Sequence, residues 1–487
     1  MRRAESAAGA SLVVLAFAVY LGSPWRALLD PRYAVLAAEA LVTTGSWDVA
    51  PFLDPDARAR APRVPRPARE RPDPGPGWLE SGPHYQLARR DDRVLYLYPP
   101  GVPLLAAPLV AVARVAGYSS LNEDGFYSYR RELGLHALLG ALVTAAGALV
   151  VLRLARRELP LAPALGVALA AAFGSSLWSV ASRALWTHTF AVVLVGLAWL
   201  ELLRWDDGER RRPLWLGALL SAAFWVRPTS ALVAAALTLY VALRHRSALP
   251  RLAGTGALGL VAFLATSWAM WGSLLPPYYA LGSGMSSAGF GVAFLGLLAS
   301  PTRGLLVFSP VLLLVPAVLA RTGVPATRRA PAALAAALVG AHLLLYASWP
   351  MWWGGGSYGP RLLTELVPLL AWLGALAVRA AREPGARRGI PPAVRRALAA
   401  AAVALSLAGA VAHGGGAVSE RLYHALSRTS GPEGPRLWDW RFNPYSAVAR
   451  ALAEPDGAQR RRRPGRRPAL PEAPPTAPQP SGAPPAS

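Results

Sequence analysis

The chain has 487 residues, is 54% hydrophobic, and carries 50 basic against 27 acidic residues. Apolar runs of about 20 residues recur along it, which excludes an ordinary soluble globular protein. All the basic residues are arginines clustered between the apolar runs, a pattern typical of cytoplasmic loops in membrane proteins rather than of nucleic-acid binding. Because there is no cysteine, disulfides, thiol catalysis and thiolate metal sites are excluded.

The first apolar run, residues 10–29, follows a short arginine-containing segment, residues 1–9. It is predicted to be a membrane span rather than a cleaved signal peptide, because no convincing cleavage site follows and many more apolar runs come later. The positive-inside rule then places the N-terminus in the cytoplasm and Asp30 on the outer side.

A helix is predicted directly after Asp30. Pro31 suits a first helical turn, and apolar residues recur at helical spacing from Tyr33 onward, while Arg32 and Glu39 fall off that stripe. The pattern predicts a surface helix lying flat on the bilayer with an acidic residue at its start. Asp30 can cap this helix, act as a catalytic carboxylate, or do both.

Residues 30–132 are predicted to form a long first outer loop carrying interfacial helices. Its Arg- and Pro-rich part, residues 54–76, is predicted to be irregular. The apolar run 102–117 is short and contains two prolines and an arginine, which favours an interfacial or re-entrant helix. Counting it as a span would move every later arginine cluster to the outer face, against the positive-inside rule.

The fold class is therefore predicted to be an all-α integral membrane protein with about eleven transmembrane helices. The predicted spans, all within a polytopic domain over residues 10–413, are 10–29, 133–152, 162–180, 188–203, 214–226, 229–243, 254–271, 304–320, 331–347, 362–378 and 397–413. Three of them, 188–203, 214–226 and 229–243, are short and are expected to tilt or break. An outer segment over residues 414–458 and a disordered Arg- and Pro-rich tail over residues 459–487 follow.

The short turns on the predicted outer face carry few charges, yet four of them hold an arginine near a span end. These are Arg183, Arg227, Arg303 and Arg361. Convergent arginines can bind a lipid phosphate, because guanidinium binds phosphate through two parallel hydrogen bonds. The alternative is that each arginine extends to the lipid headgroups. Arg303 and Arg361 are favoured for phosphate binding, since neighbouring glycines and aromatic residues can wall a cavity.

Further residues near these turns are candidates for binding. His188 lies at an outer span end, where it can position a substrate group or make a structural hydrogen bond. The tryptophans at 349, 352 and 353 fit an interfacial belt better than a sugar platform. The chain has no P-loop, no GxSxG or HExxH motif and no dinucleotide fingerprint, so a cytosolic nucleotide-driven enzyme is not expected.

Several short motifs along residues 10–410 occur in the order found in one known superfamily. Asp30 to Ala34 with Glu39 resembles an Asp-Glu-x-Arg-Tyr-Ala pattern, Thr44 to Asp48 resembles Thr-Gly-Asp/Ser-Trp, and Tyr98 to Gly101 resembles Lys-Pro-Pro-Leu; Arg227-Pro228-Thr229 and Gly359-Pro360-Arg361 fit bacterial branches. The chain thus resembles the polytopic C-type-fold glycosyltransferases that use polyprenyl-phosphate sugars, which include protein O-mannosyltransferases and lipid A aminoarabinose transferases. It departs from them where Pro31 replaces a second acidic residue and Tyr98 replaces a lysine.

The resemblance implies an inverting sugar transfer on the outer face of the plasma membrane. It implies a polyprenyl-phosphate sugar donor, an envelope acceptor (glycan, lipid or protein) and no nucleotide or redox cofactor, while a divalent cation stays open without assignable ligands. In this interpretation Asp30 is the general base, and the candidate substrate-binding residues are Arg32, Tyr33, Glu39, Tyr98, His188, Arg227, Arg303, Tyr358 and Arg361.

Two other functional classes stay open on the sequence. One is a lipid-linked glycan flippase or another transporter, although no internal repeat of the kind common in transporters is found. The other is a non-catalytic membrane protein of envelope assembly, which would tolerate the loss of Asp30. No nucleic-acid partner is expected in any of the three.

Overall fold

The structure is a computed structural model that describes residues 2–26, 28–61, 84–280, 289–383, 390–427 and 436–453. The residues up to Val448 form one compact unit, and the few described residues after it, 449–453, belong to a second. The prediction that residues 54–76 are irregular is wrong for Pro55–Arg60, which form a short helix capped by Asp54. Residues 62–76 and the predicted disordered tail, residues 459–487, lie outside the described residues. The domain boundaries that the sequence predicts stay predictions.

The described chain is almost wholly helical. Its α-helices are α1 Arg2–Gly22, α2 Ala34–Thr44, α3 Pro55–Arg60, α4 Gly101–Val115, α5 Tyr129–Ala155, α6 Leu161–Phe173, α7 Ser176–Ser179, α8 Thr187–Asp206, α9 Pro213–Val226, α10 Ser230–Arg244, α11 Leu249–Trp271, α12 Pro277–Ala280, α13 Phe290–Ala299, α14 Leu305–Phe308, α15 Leu314–Thr322, α16 Arg329–Ala347, α17 Val367–Arg382, α18 Pro392–Val418, α19 Glu420–Ser427 and α20 Pro444–Ala453. The described residues also form seven short 3-10 helices: Ala50–Phe52, Ala181–Arg183, Arg246–Ala248, Pro310–Leu313, Ala326–Arg328, Arg361–Leu366 and Trp440–Phe442. An antiparallel hairpin in the first loop pairs β1 Leu87–Arg90 with β2 Arg93–Tyr96, with Leu87 opposite Tyr96.

Eight helical segments within the described residues are long and apolar enough to cross a membrane, which supports a multi-pass all-α membrane protein. They are Arg3–Gly22, Tyr129–Ala155, Leu161–Ser179, Thr187–Asp206, Arg246–Trp271, Ala326–Ala347, Arg361–Arg382 and Pro392–Val418. The central helix α5 packs against α1, α6, α8 and α17, whereas α11 and α18 are mostly exposed on the outside of the bundle. Because helix length and composition identify eight candidate spans among the described residues, the predicted number of about eleven is not confirmed.

The three other predicted spans coincide with shorter helices. Predicted spans 214–226 and 229–243 match α9 and α10, with 14 and 15 residues. Predicted span 304–320 is broken at Ser309, because the following Pro310 disfavours a helical conformation in the residue before it. The first span also ends earlier than predicted, at Gly22 rather than residue 29.

The arginine clusters that were predicted to be cytoplasmic meet at one end of the bundle. Arg157 pairs with Asp207 at 2.8 Å, and Arg328 pairs with Glu158 at 2.7 Å and with Asp207 at 2.6 Å. Arg379 pairs with Glu158 at 2.7 Å. The loops that follow α5 and α8, the last turn of α17 and the segment that precedes α16 are thus joined by ion pairs, and we call this group the basic end.

The other ends of the same helices carry the candidate site, and we call them the site end. Helices α9 and α10 also connect the two ends. The turn between them contacts the start of the Arg361–Arg382 segment through Arg227 and Glu365, 3.0 Å apart, while His245 after α10 contacts Asp206 at 2.9 Å at the basic end. Helices α9 and α10, although shorter than the eight candidate spans, therefore also run between the basic end and the site end of the bundle.

Helix α2 is buried inside the protein, so the prediction of a surface helix lying flat on the bilayer is wrong. Every side chain from Ala34 to Ala40 is buried, including Glu39. The Glu39 carboxylate accepts hydrogen bonds from Arg114 at the end of α4, from the Ser119 hydroxyl, and from the Ser120 main chain and hydroxyl. Glu39 lies off the apolar stripe because it ties α2 to α4. Helix α4 carries exposed apolar side chains, and its interfacial position stays a prediction.

Asp30 does not cap α2. The helix begins at Ala34, and the main-chain N–H groups of Tyr33 and Leu36 donate to the Glu132 carboxylate at 3.1 Å and 3.4 Å. Glu132 lies in the first turn of α5, so another helix satisfies the N-terminal donors of α2. The Asp30 side chain is therefore available to other partners.

Candidate functional site

Asp30 and Arg361, 331 residues apart in the chain, form an ion pair at the site end. Arg361 Nη1 donates to Asp30 Oδ2 at 2.6 Å, and the Tyr85 hydroxyl donates to Asp30 Oδ1 at 3.2 Å. The Asp30 side chain is 27% exposed and that of Arg361 is 12% exposed. The carboxylate is therefore held in a defined position and is still accessible to a ligand.

Local structure on both sides of the pair fixes its geometry. Asp30 starts a tight turn that Gln86 holds by donating to the carbonyl of Leu29 at 2.8 Å, and the Tyr96 hydroxyl donates to the Asp30 carbonyl at 3.1 Å. Arg361 begins the 3-10 helix Arg361–Leu366 just after Gly359. Gly359 has φ +62°, and a Cβ there would lie 3.1 Å from the Phe308 ring, so the chain needs glycine at this position.

Tyrosines of the first loop surround Asp30. The rings of Tyr96 and Tyr98 have centroids 5.7 Å apart, and the Tyr98 ring lies 4.8 Å from that of Tyr278. Burial, together with the negative charge of Asp30, raises the pKa of Tyr85, Tyr96 and Tyr98. These hydroxyls therefore stay protonated and serve as donors. The family that the chain resembles has a lysine at this position, whereas Tyr98 places a neutral aromatic ring near Asp30.

Arg361 keeps hydrogen-bonding capacity that the protein does not use. Among the described residues, its buried Nε has no hydrogen-bond partner, and only Nη1 is engaged. The guanidinium carbon lies 5.0 Å from the centroid of the Trp186 ring, which adds a cation–π contact. A guanidinium with unused donors beside an accessible carboxylate can bind an anionic group of a ligand.

The other three arginines have their donors occupied by the protein. Arg303 donates to five main-chain carbonyls, those of Thr302 and Leu426 at 2.8 Å, Trp353 at 3.1 Å, and Gly355 and Ser427 at 3.3 Å. Arg183 donates to the carbonyls of Tyr20, Ser23, Trp25 and Trp178. A ligand phosphate would have to displace these bonds. The proposed phosphate contacts of Arg303 and Arg227 stay predictions, but Arg361 is the arginine best placed for that role.

Arg227 belongs to a buried network centred on Glu365, a residue that the sequence interpretation missed. The Glu365 carboxylate accepts from Arg227 Nε at 3.0 Å, from the Thr229 and Tyr346 hydroxyls at 2.9 Å, and from the Ser230 hydroxyl at 3.2 Å. Arg227 also donates to His188 Nε2 at 3.3 Å. Because Glu365 lies one helical turn after Arg361, this network positions the segment that carries Arg361. The sequence did offer a signal for this residue, since Glu365 is an acidic residue near the start of the predicted span 362–378.

The remaining predicted binding residues contact partners other than Asp30 and Arg361. Arg32 donates to the Tyr127 hydroxyl at 3.3 Å and stacks on the Tyr33 ring, whose hydroxyl is 2.6 Å from His84 Nδ1. Tyr358 donates to the carbonyl of Ala412 at 2.7 Å and is buried. The structure thus brings together Asp30, Tyr98 and Arg361, whereas Arg32, Tyr33 and Glu39 support the fold of the first loop.

The described residues offer no ready cation site. None of their His, Asp and Glu side chains form a group of three or more that could hold a metal ion. The divalent cation left open by the sequence therefore has no ligands assigned to it among the described residues.

Comparison with known proteins does not place the chain in a family. No protein-family model matches it, and no similar curated protein is found.

We expect Arg303→Ala to destabilise the protein without weakening donor binding. The substitution leaves five carbonyls, three of them in buried hydrogen bonds, without their charged donor, at a cost of roughly 3 kcal/mol or more. Thermal unfolding in detergent and the donor KM measure the two effects, with Arg58→Ala on the exposed first loop as the matched control. Unchanged stability together with a raised KM would instead show that Arg303 binds the donor.

Proposed function

We propose that the protein is a membrane glycosyltransferase that moves a sugar from a polyprenyl-phosphate donor to an envelope acceptor, with inversion, on the outer face of the plasma membrane. The observation that carries this proposal is the Asp30–Arg361 pair. The pair combines an accessible carboxylate with a guanidinium that has unused hydrogen-bond donors, at one end of an apolar helical bundle. These are the two charges that base-assisted transfer from a lipid phosphate requires.

The proposed reaction uses the chain's own side chains. Asp30 accepts the proton of the acceptor hydroxyl while that oxygen attacks the anomeric carbon. The bond between the anomeric carbon and the phosphate oxygen breaks, and polyprenyl phosphate leaves. Arg361 stabilises the negative charge on the departing phosphate, and the Tyr85 hydroxyl helps to hold the carboxylate in place.

The position of the buried charges supports an enzyme over a transporter. Transporters bind their substrates near the middle of the membrane, often at broken helices. Here Arg227 and Glu365 lie at the site end of their helices, next to the ion pair. A purified-protein assay with a polyprenyl-phosphate sugar tests the proposal, because Asp30-dependent formation of a glycosylated product is expected only of a transferase. Lipid movement across vesicles without product would contradict it.

Labelling of introduced cysteines tests the proposed orientation. Because the native chain has no cysteine, single substitutions give no background. We expect Tyr118→Cys and Trp438→Cys to react with an impermeant reagent from outside the cell, and Arg210→Cys and Ala326→Cys to react only after permeabilisation; all four positions are exposed. Outside labelling at 210 and 326 would reverse the topology and place the site in the cytoplasm.

A further inference from the structure

Four exposed arginines come from two neighbouring loops at the basic end, and we call them the arginine corner. Arg211 lies just before α9, whereas Arg244, Arg246 and Arg251 lie in and around the turn between α10 and α11. The two loops meet where Arg211 Nη1 donates to the Ser247 hydroxyl at 3.5 Å. Tertiary structure therefore adds the charge of one loop to that of the other.

No carboxylate balances the charge of the arginine corner. Among the described residues, none of its four guanidinium groups is in an ion pair with an Asp or a Glu. The acids on neighbouring segments already have partners. Asp206 accepts from the Tyr240 hydroxyl at 2.6 Å and lies 2.9 Å from His245, and Glu201 pairs with Arg212 at 3.3 Å. By contrast, the arginines that join the loops of the basic end are all in ion pairs.

Two helix N-termini add to this positive charge. Helix α9 begins at Pro213, two residues after Arg211, and α11 begins at Leu249, two residues before Arg251. Neither helix has an acidic residue in its first turn. Because the N-terminal N–H groups of a helix carry a partial positive charge, the helix ends and the arginines together favour a negatively charged partner.

An exposed apolar surface leads up to the arginine corner. On α10 the side chains at every fourth position are exposed along one face of the helix, at Ala231, Ala235, Leu239 and Leu243. On α9, Trp215 is exposed in the first turn. Exposed apolar faces of a membrane protein contact acyl chains, and a tryptophan near a helix end is typical of the headgroup level. The corner is therefore placed where lipid headgroups lie.

We propose that the arginine corner binds the headgroup of an anionic phospholipid in the leaflet next to the basic end. The negative headgroup lies against the arginines and the two helix N-termini, while the acyl chains follow the exposed face of α10. A zwitterionic phospholipid has no net negative charge to offset the arginines, and a soluble anion has no acyl chains to fill the apolar surface. This inference depends neither on sugar transfer nor on the side of the membrane that the basic end faces.

Lipid binding to the purified full-length protein in detergent tests the proposal. Native mass spectrometry compares dioleoylphosphatidylglycerol with dioleoylphosphatidylcholine, which carry the same acyl chains and differ in headgroup charge. We expect the phosphatidylglycerol to bind at least tenfold more tightly, because each basic residue near an anionic headgroup contributes roughly fivefold in affinity. Equal binding of the two lipids would overturn the proposal.

A headgroup without acyl chains separates a lipid from a free phosphate. Glycerophosphoglycerol carries the charge of phosphatidylglycerol and is soluble. We expect a hundredfold excess of it to leave the bound phosphatidylglycerol in place, because it gains nothing from the apolar face of α10. Displacement at equal concentration would show a site for a soluble anion and overturn the assignment to a lipid.

Substitution of the arginines localises the binding. A triple variant with Arg244→Gln, Arg246→Gln and Arg251→Gln removes three charges and keeps polar side chains at exposed positions. We expect its preference for phosphatidylglycerol to fall from at least tenfold to about one, with thermal unfolding unchanged. A wild-type preference in this folded variant would contradict the proposed site.

The matched control removes the same number of charges elsewhere. Arg321, Arg395 and Arg396 are exposed and lie outside the arginine corner, on α15 and α18. Replacing these three with glutamine changes the net charge of the protein equally, and we expect the lipid preference to stay within about threefold of the wild type. An equal loss in both triple variants would show a general effect of surface charge and overturn the assignment to the corner.

Discussion

Asp30→Asn is expected to lower turnover by roughly 10²–10⁴-fold, the usual contribution of a general base. Asparagine keeps the shape of the side chain and can still accept from Tyr85 and Arg361, but it cannot take a proton from the acceptor. Since Asp30 does not cap α2, the substitution removes no helix cap, and the thermal stability should change little. Transfer from a polyprenyl-phosphate sugar in detergent, measured as kcat, is the readout.

A matched control is available in the same loop. Asp54 accepts a hydrogen bond from the main-chain N–H of Ala57 and caps α3, and asparagine caps helices about as well as aspartate. Asp54→Asn should therefore behave like the wild type. Glu39→Gln is a poor control, because Glu39 is buried and bound by Arg114. Near-normal turnover in Asp30→Asn would remove the general base and with it the proposed mechanism.

Arg361→Ala is expected to raise the donor KM and lower kcat, with a combined loss in kcat/KM of roughly 10²-fold or more. The estimate follows from one charge-assisted contact with phosphate, worth about 1.5–3 kcal/mol, together with lost stabilisation of the leaving group. Arg361→Lys should recover part of the loss, because lysine restores the charge but not the planar, two-pronged geometry. Steady-state kinetics with varied donor concentration separate the effect on the donor KM from the effect on kcat.

A loss of folding must be distinguished from a loss of binding in the Arg361 variants. Thermal unfolding provides that check, and Arg58→Ala, at the exposed surface of the first loop, is the matched arginine control. If folded Arg361→Ala keeps the donor KM and kcat of the wild type, the Asp30–Arg361 pair is a structural ion pair and not the site of transfer.

The local sequence predicted the helices of the bundle well wherever one apolar run forms one helix. The runs at 331–347 and 397–413 lie within α16 and α18, because an apolar segment in a membrane must satisfy its own backbone hydrogen bonds and helix formation does so. Predicted span 304–320 failed, because it is interrupted at Ser309 before Pro310. Predicted span 162–180 is confirmed as the candidate span Leu161–Ser179, although its helix has a local break at Gly174.

The arginine pattern was also informative about which loops lie together. Arg157, Arg328 and Arg379, grouped from sequence on one side, are joined through Glu158 and Asp207. The partner acids were not predicted, because an isolated acid in a basic loop gives no signal of which arginine it will meet.

From the sequence alone, Asp30 and four arginines including Arg361 are candidates, because each of these charged residues lies at the edge of an apolar run, where a charge is costly unless it is paired or bound. Helix packing then brings Asp30 and Arg361 together across 331 residues, and among the described residues it leaves unused donors on Arg361 rather than on Arg183, Arg227 or Arg303. The four arginines look alike in sequence, since their partners are main-chain carbonyls, hydroxyls and carboxylates brought in by distant segments. Helix formation depends on neighbours along the chain. Whether every N–H donor of an arginine finds an acceptor depends instead on how the helices pack.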